Sequence, residues 1–256
     1  MLLPDSSILT NIYVPGLARP GDRLFERKYI TICAMGNRLY SDEELIRLPD
    51  ISPGHPHFRE WLTRKASMKR LTCWLAMKKR PLRILEIGCG NGWLSHRLAD
   101  IPNTKVTGLD INFTELQQAA RVFSDEMNLR FIHGDFRSGV LGNMEFDMII
   151  FADSIQYFQS LKKILHISLC LLKPAGEVHI LDSPFYRPAE IAGEKLRTAA
   201  YYASLGFPEM AEFHFHHDLA CLRPFHHKIL YNPNSITGRL LGNKGRLPWI
   251  CVRNEF

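Results

Sequence analysis

Apolar residues fall into short runs separated by glycine, proline and charged positions, and the runs follow two different periods. Ile84, Leu85 and Ile87 suit a buried strand. Similar runs occupy residues 105 to 110 (KVTGLD), 129 to 135 (LRFIHGD), 145 to 153 (EFDMIIFAD) and 177 to 182 (EVHILD). Residues 161 to 172 instead place apolar side chains at helical spacing. The following Lys-Pro-Ala-Gly should end that helix, because Pro174 cannot continue it and Gly176 fits a turn. Two late runs, 226 to 231 and 248 to 253, have the character of a closing antiparallel pair. The first 55 residues are rich in proline, glycine and polar side chains, which predicts a segment that wraps a core without folding alone. From His57 to Lys79 the pattern turns helical, with Trp61, Leu62, Ala66, Leu71, Trp74 and Leu75 available for an apolar face.

Within this series, residues 84 to 95 (ILEIGCGNGWLS) carry the strongest local signal. A strand leads into a turn with glycines at 88, 90 and 92, and an apolar-polar pattern then opens a helix. Glycine removes the side chain where backbone must turn sharply or approach a ligand closely, so a ligand is expected at this turn. A dinucleotide-binding turn would require G-x-G-x-x-G, whose third glycine lies where helix and strand touch. Trp93 stands at that position. Acids follow in register, with Glu86 in the first strand, Asp110 at the end of the second and Asp135 just beyond the third. Any one of them suits a loop or a helix cap; three in succession are harder to explain that way.

The G-x-G-x-G spacing preceded by Glu86, together with Asp110 and Asp135, resembles the class I S-adenosylmethionine (SAM) dependent methyltransferases, specifically over the first half of residues 80 to 256 and loosely over the second. The resemblance implies an α/β fold, a doubly wound Rossmann-like, mostly parallel seven-stranded sheet with an antiparallel last strand. It further implies a helical N-terminal extension over 1–80 and a catalytic domain over 81–256. Gly88, Cys89, Gly90, Asn91 and Gly92 would form the cofactor turn, and Glu86 would approach the methionine amine. Asp110 would bind the ribose, Asp135 would read the adenine amino group, and Ile111 and Phe136 would sandwich the base. Asp153 would complete the cofactor contacts. Gln156 and Tyr157 stand where small-molecule members of the family often touch the sulfonium or the acceptor. The helix before the turn could meet the SAM carboxylate, with Arg64 or Lys65 as a clamp.

Composition is compatible with one catalytic domain. The chain has 256 residues, 46% of them apolar, and a formal charge of +6. No apolar stretch approaches the roughly 18 residues needed to span a bilayer, no signal-peptide pattern opens the chain, and the expected location is cytoplasmic. Six scattered cysteines without a C-x-x-C pair suggest reduced thiols. Basic residues cluster between Glu60 and Glu86 and again from Arg223 to Arg253, which reads first as a solvated face and second as a surface for an anionic partner. Five histidines between 214 and 227 tempt a metal reading, but their spacing matches no familiar ligand pattern, and no metal is expected. A lid carrying a general base is the alternative, with His216 or His217 as the candidate and His214 beside them.

Nucleic acid is disfavoured as the acceptor. The segment after the fourth strand is Asp-Ser-Ile-Gln (153 to 156) and not [DN]-P-P-[FYW], a Pro-Cys nucleophile is missing, and no RNA-binding signature is visible. The sequence thus points to methyl transfer from SAM to an oxygen, nitrogen or carbon of a small acceptor such as a metabolite, glycan or lipid head group. A SAM-binding module without turnover, an RNA methyltransferase and an oxidoreductase are the alternatives, and oligomeric state is left open.

Overall fold

A computed structural model describes residues 12–13, 20–233, 235 and 247–254. The chain divides into two compact units, Met1–Gly142 and Asn143–Phe256.

The first unit has three successive helices and then alternates strands and helices. It contains β1 (Ile12–Tyr13), α1 (Pro20–Met35), α2 (Asp42–Arg47), α3 (Phe58–Ala76), β2 (Leu82–Ile87), α4 (Trp93–Ala99), β3 (Thr104–Asp110), α5 (Phe113–Val122) and β4 (Leu129–His133). Its strands run parallel in the order β1-β4-β3-β2, with Ile87 opposite Leu109 and Asp110 opposite His133. Every residue of β2 except Arg83 is buried, as a strand packed on both faces requires. α5 starts where the Asn112 side chain accepts a hydrogen bond from the Glu115 N–H, satisfying one of the donors a helix start leaves open.

The N-terminal segment is more ordered than its composition suggested. α2 carries a capping box in which Ser41 and Glu44 bond each other's backbone N–H groups. Asp42 accepts from Arg121 and Gln118, Glu26 accepts from the backbone and hydroxyl of Thr114, and Arg97 donates to the carbonyls of Ile46 and Leu48. The extension is therefore stitched to α4 and α5 by charged side chains, a signal that hydrophobic patterning does not register. It also contributes β1, so eight strands occur among the described residues where seven were expected.

The second unit holds β5 (Phe146–Ala152), α6 (Leu161–Cys170), β6 (Leu172–Leu181), α7 (Pro188–Ser204), β7 (His226–Tyr231) and β8 (Trp249–Arg253). β5 and β6 are parallel, and β8 lies antiparallel between β6 and β7, giving the expected closing pair. Lys173–Gly176 corrects a local expectation. It does not form a turn between helix and strand but a bulge inside β6, where pairing jumps from Phe146↔Leu172 to Met148↔Glu177. Gly176 is needed there because a Cβ would meet the Lys173 carbonyl at 2.9 Å.

Candidate active site

The glycine turn sits at the carboxyl end of β2, the edge of a parallel sheet where ligands bind in open α/β folds. Gly88, Gly90 and Gly92 all take positive φ. At Gly92 the demand is doubled, because a Cβ would lie 2.7 Å from the Phe131 ring as well as requiring φ +75°. Gly108 in β3 is needed for a different reason, since a Cβ there would meet Cys89 Sγ and Phe131 at 2.8 Å. The buried Cys89 thus fills the space under the turn, and burial pushes its thiol pKa well up. Asn91 is also buried, and its Oδ1 accepts from the Trp93 N–H at 3.4 Å.

Asp110 organises the turn. One carboxylate oxygen accepts from the Gly90 N–H at 2.8 Å, the other from the Asn112 N–H at 2.7 Å. With the Ile111 N–H also drawing on the carboxylate, acceptor capacity remains for a ligand hydroxyl. Burial raises the Asp110 pKa, against the pull of the backbone N–H groups of Asn112, Gly90 and Ile111. Glu86 is 2% exposed and accepts from Ser95 Oγ at 2.5 Å. Burial pushes it to about 8, opposed by the Ser95 bond and reinforced by the charge of Asp110. Glu115 is likewise pushed by burial and by Asp110 to about 8, and its carboxylate lies 3.4 Å from where a Gly90 Cβ would stand. Three carboxyl groups therefore surround one bare turn, suited to a cationic ligand. Sequence reading missed Ser95, Asn112 and Glu115. The buried Nδ2 of Asn112 is left without a partner beside Asp110, a hydrogen-bond donor next to the acceptor pair.

The other expected cofactor residues are placed less uniformly. Ile111 is 37% exposed, whereas Phe136 is buried. Both oxygens of Asp135 face the Arg137 guanidinium, at 2.9, 3.1 and 2.7 Å, so an adenine contact would compete with that ion pair. Arg64 and Lys65 are also already paired, Arg64 with Glu60 and across the Trp61 ring, Lys65 with Asp50.

In the second unit the loops after β5 and β6 meet the histidine segment. Asp153 takes φ +54°, and Gln156 Nε2 donates to its carbonyl and its carboxylate, both at 2.8 Å. The Gln156 carbonyl accepts from the Phe215 N–H at 2.7 Å, His217 Nε2 bonds the Ile155 carbonyl at 3.1 Å, and the Tyr186 N–H donates to the His217 carbonyl at 2.9 Å. His217 is 6% exposed and is committed to this stitching. His216 Nε2 lies 2.9 Å from Thr198 Oγ1. Rings follow one another: Tyr186 and His216 at 5.3 Å, His216 and His214 at 5.2 Å, with Tyr157 and Tyr202 at 6.1 and 6.3 Å from His214. Burial lowers the pKa of His214, His216 and His217. Three buried polar atoms here have no partner: Gln156 Oε1, His214 Nδ1 and His216 Nδ1. Thr198 and Tyr202 were not foreseen, although their i, i+4 spacing on one helix face was available.

Among the described residues, two groups elsewhere have the spacing of metal ligands, and neither includes residues 214–217. In the first, His179 is saturated, bonding Glu177 through Nε2 at 3.1 Å and accepting from Trp249 Nε1 at 3.0 Å. In the second, His96 and Asp100 both have the Arg97 guanidinium at 3.4 Å, a cation where a metal would need to sit.

Comparison with known proteins gives a consistent result. Residues 84–176 match the family described as "Methyltransferase domain". A malonyl-[acyl-carrier protein] O-methyltransferase of Legionella pneumophila is 26% identical over 104 residues, which is 38% of this chain; the match spans only 37% of that relative's own length. Among solved structures, a magnesium protoporphyrin IX methyltransferase from Synechocystis PCC 6803 with bound SAH superposes with a TM-score of 0.58 at 17% identity, covering 91% of this chain and all of the other. An O-methyltransferase family protein from Burkholderia thailandensis also gives 0.58, at 11% identity, covering 90% of this chain and 71% of the other. At these identities the likeness establishes the fold, an α/β Rossmann-like sheet that is mostly parallel with an antiparallel C-terminal hairpin.

Proposed function

We propose that the chain, whose residues 84–176 match the methyltransferase-domain family, transfers the methyl group of SAM to a small-molecule acceptor, with residues 81–256 as the catalytic part. The carrying observation is Asp110, buried at the end of β3, with both oxygens oriented by the N–H groups of Gly90 and Asn112. That arrangement suits a ribose diol, with Asn112 Nδ2 as an additional donor. The bare turn of Gly88, Cys89, Gly90, Asn91 and Gly92 lets backbone approach the ligand closely. Glu86 and Glu115, both pushed by burial to about 8, would supply negative charge by giving up their protons to a cationic ligand. Ile111 and Phe136 flank the adenine side, where Asp135 would share its carboxylate with Arg137.

SAM supplies an activated methyl group on a positively charged sulfur, so the protein's task is to hold an acceptor atom in line. A base is needed only where the acceptor atom must lose a proton. By the resemblance, that task falls to Asp153, Gln156, Tyr157 and His216.

A small acceptor is favoured over nucleic acid because several basic residues on and around α3 are internally engaged. Arg64 and Arg38 pair with Glu60, Lys65 with Asp50, and Lys78 lies over Trp74 at 4.9 Å. No helix among the described residues is long and apolar enough to cross a membrane. Six free cysteines fit a reducing, cytoplasmic setting. Calorimetric titration with SAM and SAH tests the reading: binding of both is expected, and a folded chain that binds neither is not this enzyme.

A further inference from the structure

The start of α5 holds polar groups that the first unit itself does not use. Asn112 bridges two acids: its backbone N–H donates to Asp110 Oδ1 at 2.7 Å, and its side-chain Oδ1 accepts from the Glu115 N–H at 3.1 Å. The second bond fixes which way the amide faces. Nδ2 is therefore the surplus donor, without a partner in a residue that is 4% exposed. Glu115 is the complementary case. Both of its carboxylate oxygens lie 3.4 Å from where a Gly90 Cβ would stand, and among the described residues nothing donates to them. The charges that act on this carboxyl, Asp110 and Glu26, are both negative, so no counter-charge offsets its desolvation. A buried donor without an acceptor and a desolvated carboxyl without a donor are each costly, and a native fold that keeps both calls for an explanation. Helix capping explains only the Oδ1 of Asn112.

A vicinal diol answers all of these groups at once, because each hydroxyl offers one proton and two lone pairs. One hydroxyl takes the Asn112 Nδ2 proton and gives its own to Asp110; its neighbour gives its proton to Glu115. Other ligand groups fit worse. A phosphate or carboxylate would serve Asn112 but set oxygen against oxygen at Asp110 and Glu115, and an ammonium would serve the acids but face Nδ2 with N–H. We propose that Asn112 and Glu115 act with Asp110 to read the two ribose hydroxyls of the cofactor separately, which makes the site selective for a ribonucleoside over either of its deoxy forms. The inference rests on the methyltransferase reading above and adds two residues of the α5 start to it. All the groups it uses belong to the first unit. Selectivity of this kind is strong, since a site built to bond a hydroxyl strands its own buried polar groups when that hydroxyl is missing.

The test begins with SAH binding by calorimetry, since a folded chain that fails to bind it removes the methyltransferase reading itself. The 2′-deoxy and 3′-deoxy forms of SAH are then titrated into the full chain. Each is expected to bind about tenfold or more weakly than SAH, the loss that goes with a hydrogen bond to a charged group. Asn112→Ser keeps a capping oxygen for α5 but lacks the amide, and Glu115→Ala lacks the carboxyl. Each variant should bind SAH about tenfold more weakly and should shrink the penalty for at least one deoxy form to about twofold, the limit within which independent changes add. Damage to the fold would not do this, because it weakens all three nucleosides alike. Equal binding of SAH and either deoxy form by the wild-type chain, or a variant that binds SAH as tightly as wild type or keeps both penalties undiminished, would overturn the inference and leave the cofactor site standing on Asp110.

Discussion

The turn around Asp110 and the cluster around His216 solve opposite problems. At the first, backbone does most of the work: Gly90 and Asn112 donate to Asp110, and glycines at 88, 90 and 92 set the path of the chain. At the second, side chains from residues 156 to 217 converge and leave Gln156 Oε1, His214 Nδ1 and His216 Nδ1 unsatisfied. A ligand common to a whole family can be held by backbone geometry, which tolerates sequence change. In the second region side chains do the bonding, and what they leave unpaired depends on the particular residues present.

The backbone half of this comparison is broken most severely at Gly92. Gly92→Ala forces a side chain into φ +75° and drives a Cβ to within 2.7 Å of Phe131. The strain and the overpacking together should cost about 2–5 kcal/mol in urea unfolding. Gly139→Ala is the control, because φ is +77° there but nothing lies within 4 Å; only the roughly 1–2 kcal/mol of backbone strain should remain. Equal losses at the two positions would show that close packing under the turn is unimportant.

Next in size is the effect on the ligand. Asp110→Ala removes the acceptor pair and should weaken SAM binding by about 1–3 kcal/mol, the range for hydrogen bonds to a charged group. Calorimetry that finds unchanged affinity would detach Asp110 from the cofactor.

A smaller effect concerns pH. Glu86 and Glu115 are held near 8 by burial, so in the free protein both keep a proton through neutral pH. Because the folded pKa exceeds the unfolded value of about 4.5, the contribution to folding is fully present below 4.5 and is lost as pH rises toward 8. A cationic ligand pulls the other way, favouring the ionised carboxylates, and its binding should release protons. SAM affinity is therefore expected to rise by roughly tenfold between pH 6.5 and 8.5, and Glu86→Gln should flatten that rise. A pH-independent affinity in the wild-type chain would exclude ionisation of these acids from cofactor binding.

How much of this was legible in the sequence divides along the same line. Glycine is needed at 88, 90 and 92 whatever surrounds it, so the turn and its acids could be read locally. Glu115 could not, because its importance comes from α5 carrying it beside Gly90. Ser41 and Glu44 did announce a helix start through S-x-x-E, yet the polar composition around them concealed it. In the second unit, His217 and His216 look alike in sequence. Only the fold separates them, committing His217 to the Ile155 carbonyl and leaving His216 with a free nitrogen. Lys173–Gly176 reads as a helix stop and is a strand bulge, since the partner strand that absorbs it lies far away in the chain.

The smallest predicted effect is the one that best separates the two regions. His214 contributes a buried Nδ1 without a partner, and its ring lies against His216, Tyr157 and Tyr202. Replacing a polar group that makes no hydrogen bond by an apolar ring of similar shape removes a desolvation cost and sacrifices nothing. His214→Phe should accordingly leave stability unchanged or raise it by up to ~1 kcal/mol, read as a shift of the urea midpoint at constant slope. Polar groups that do serve the fold behave differently: Ser95→Ala strands the buried Glu86 and should lower the midpoint. If His214→Phe also lowered it, His214 would be bonded within the protein, and the cluster would be a structural network like the one around Glu86.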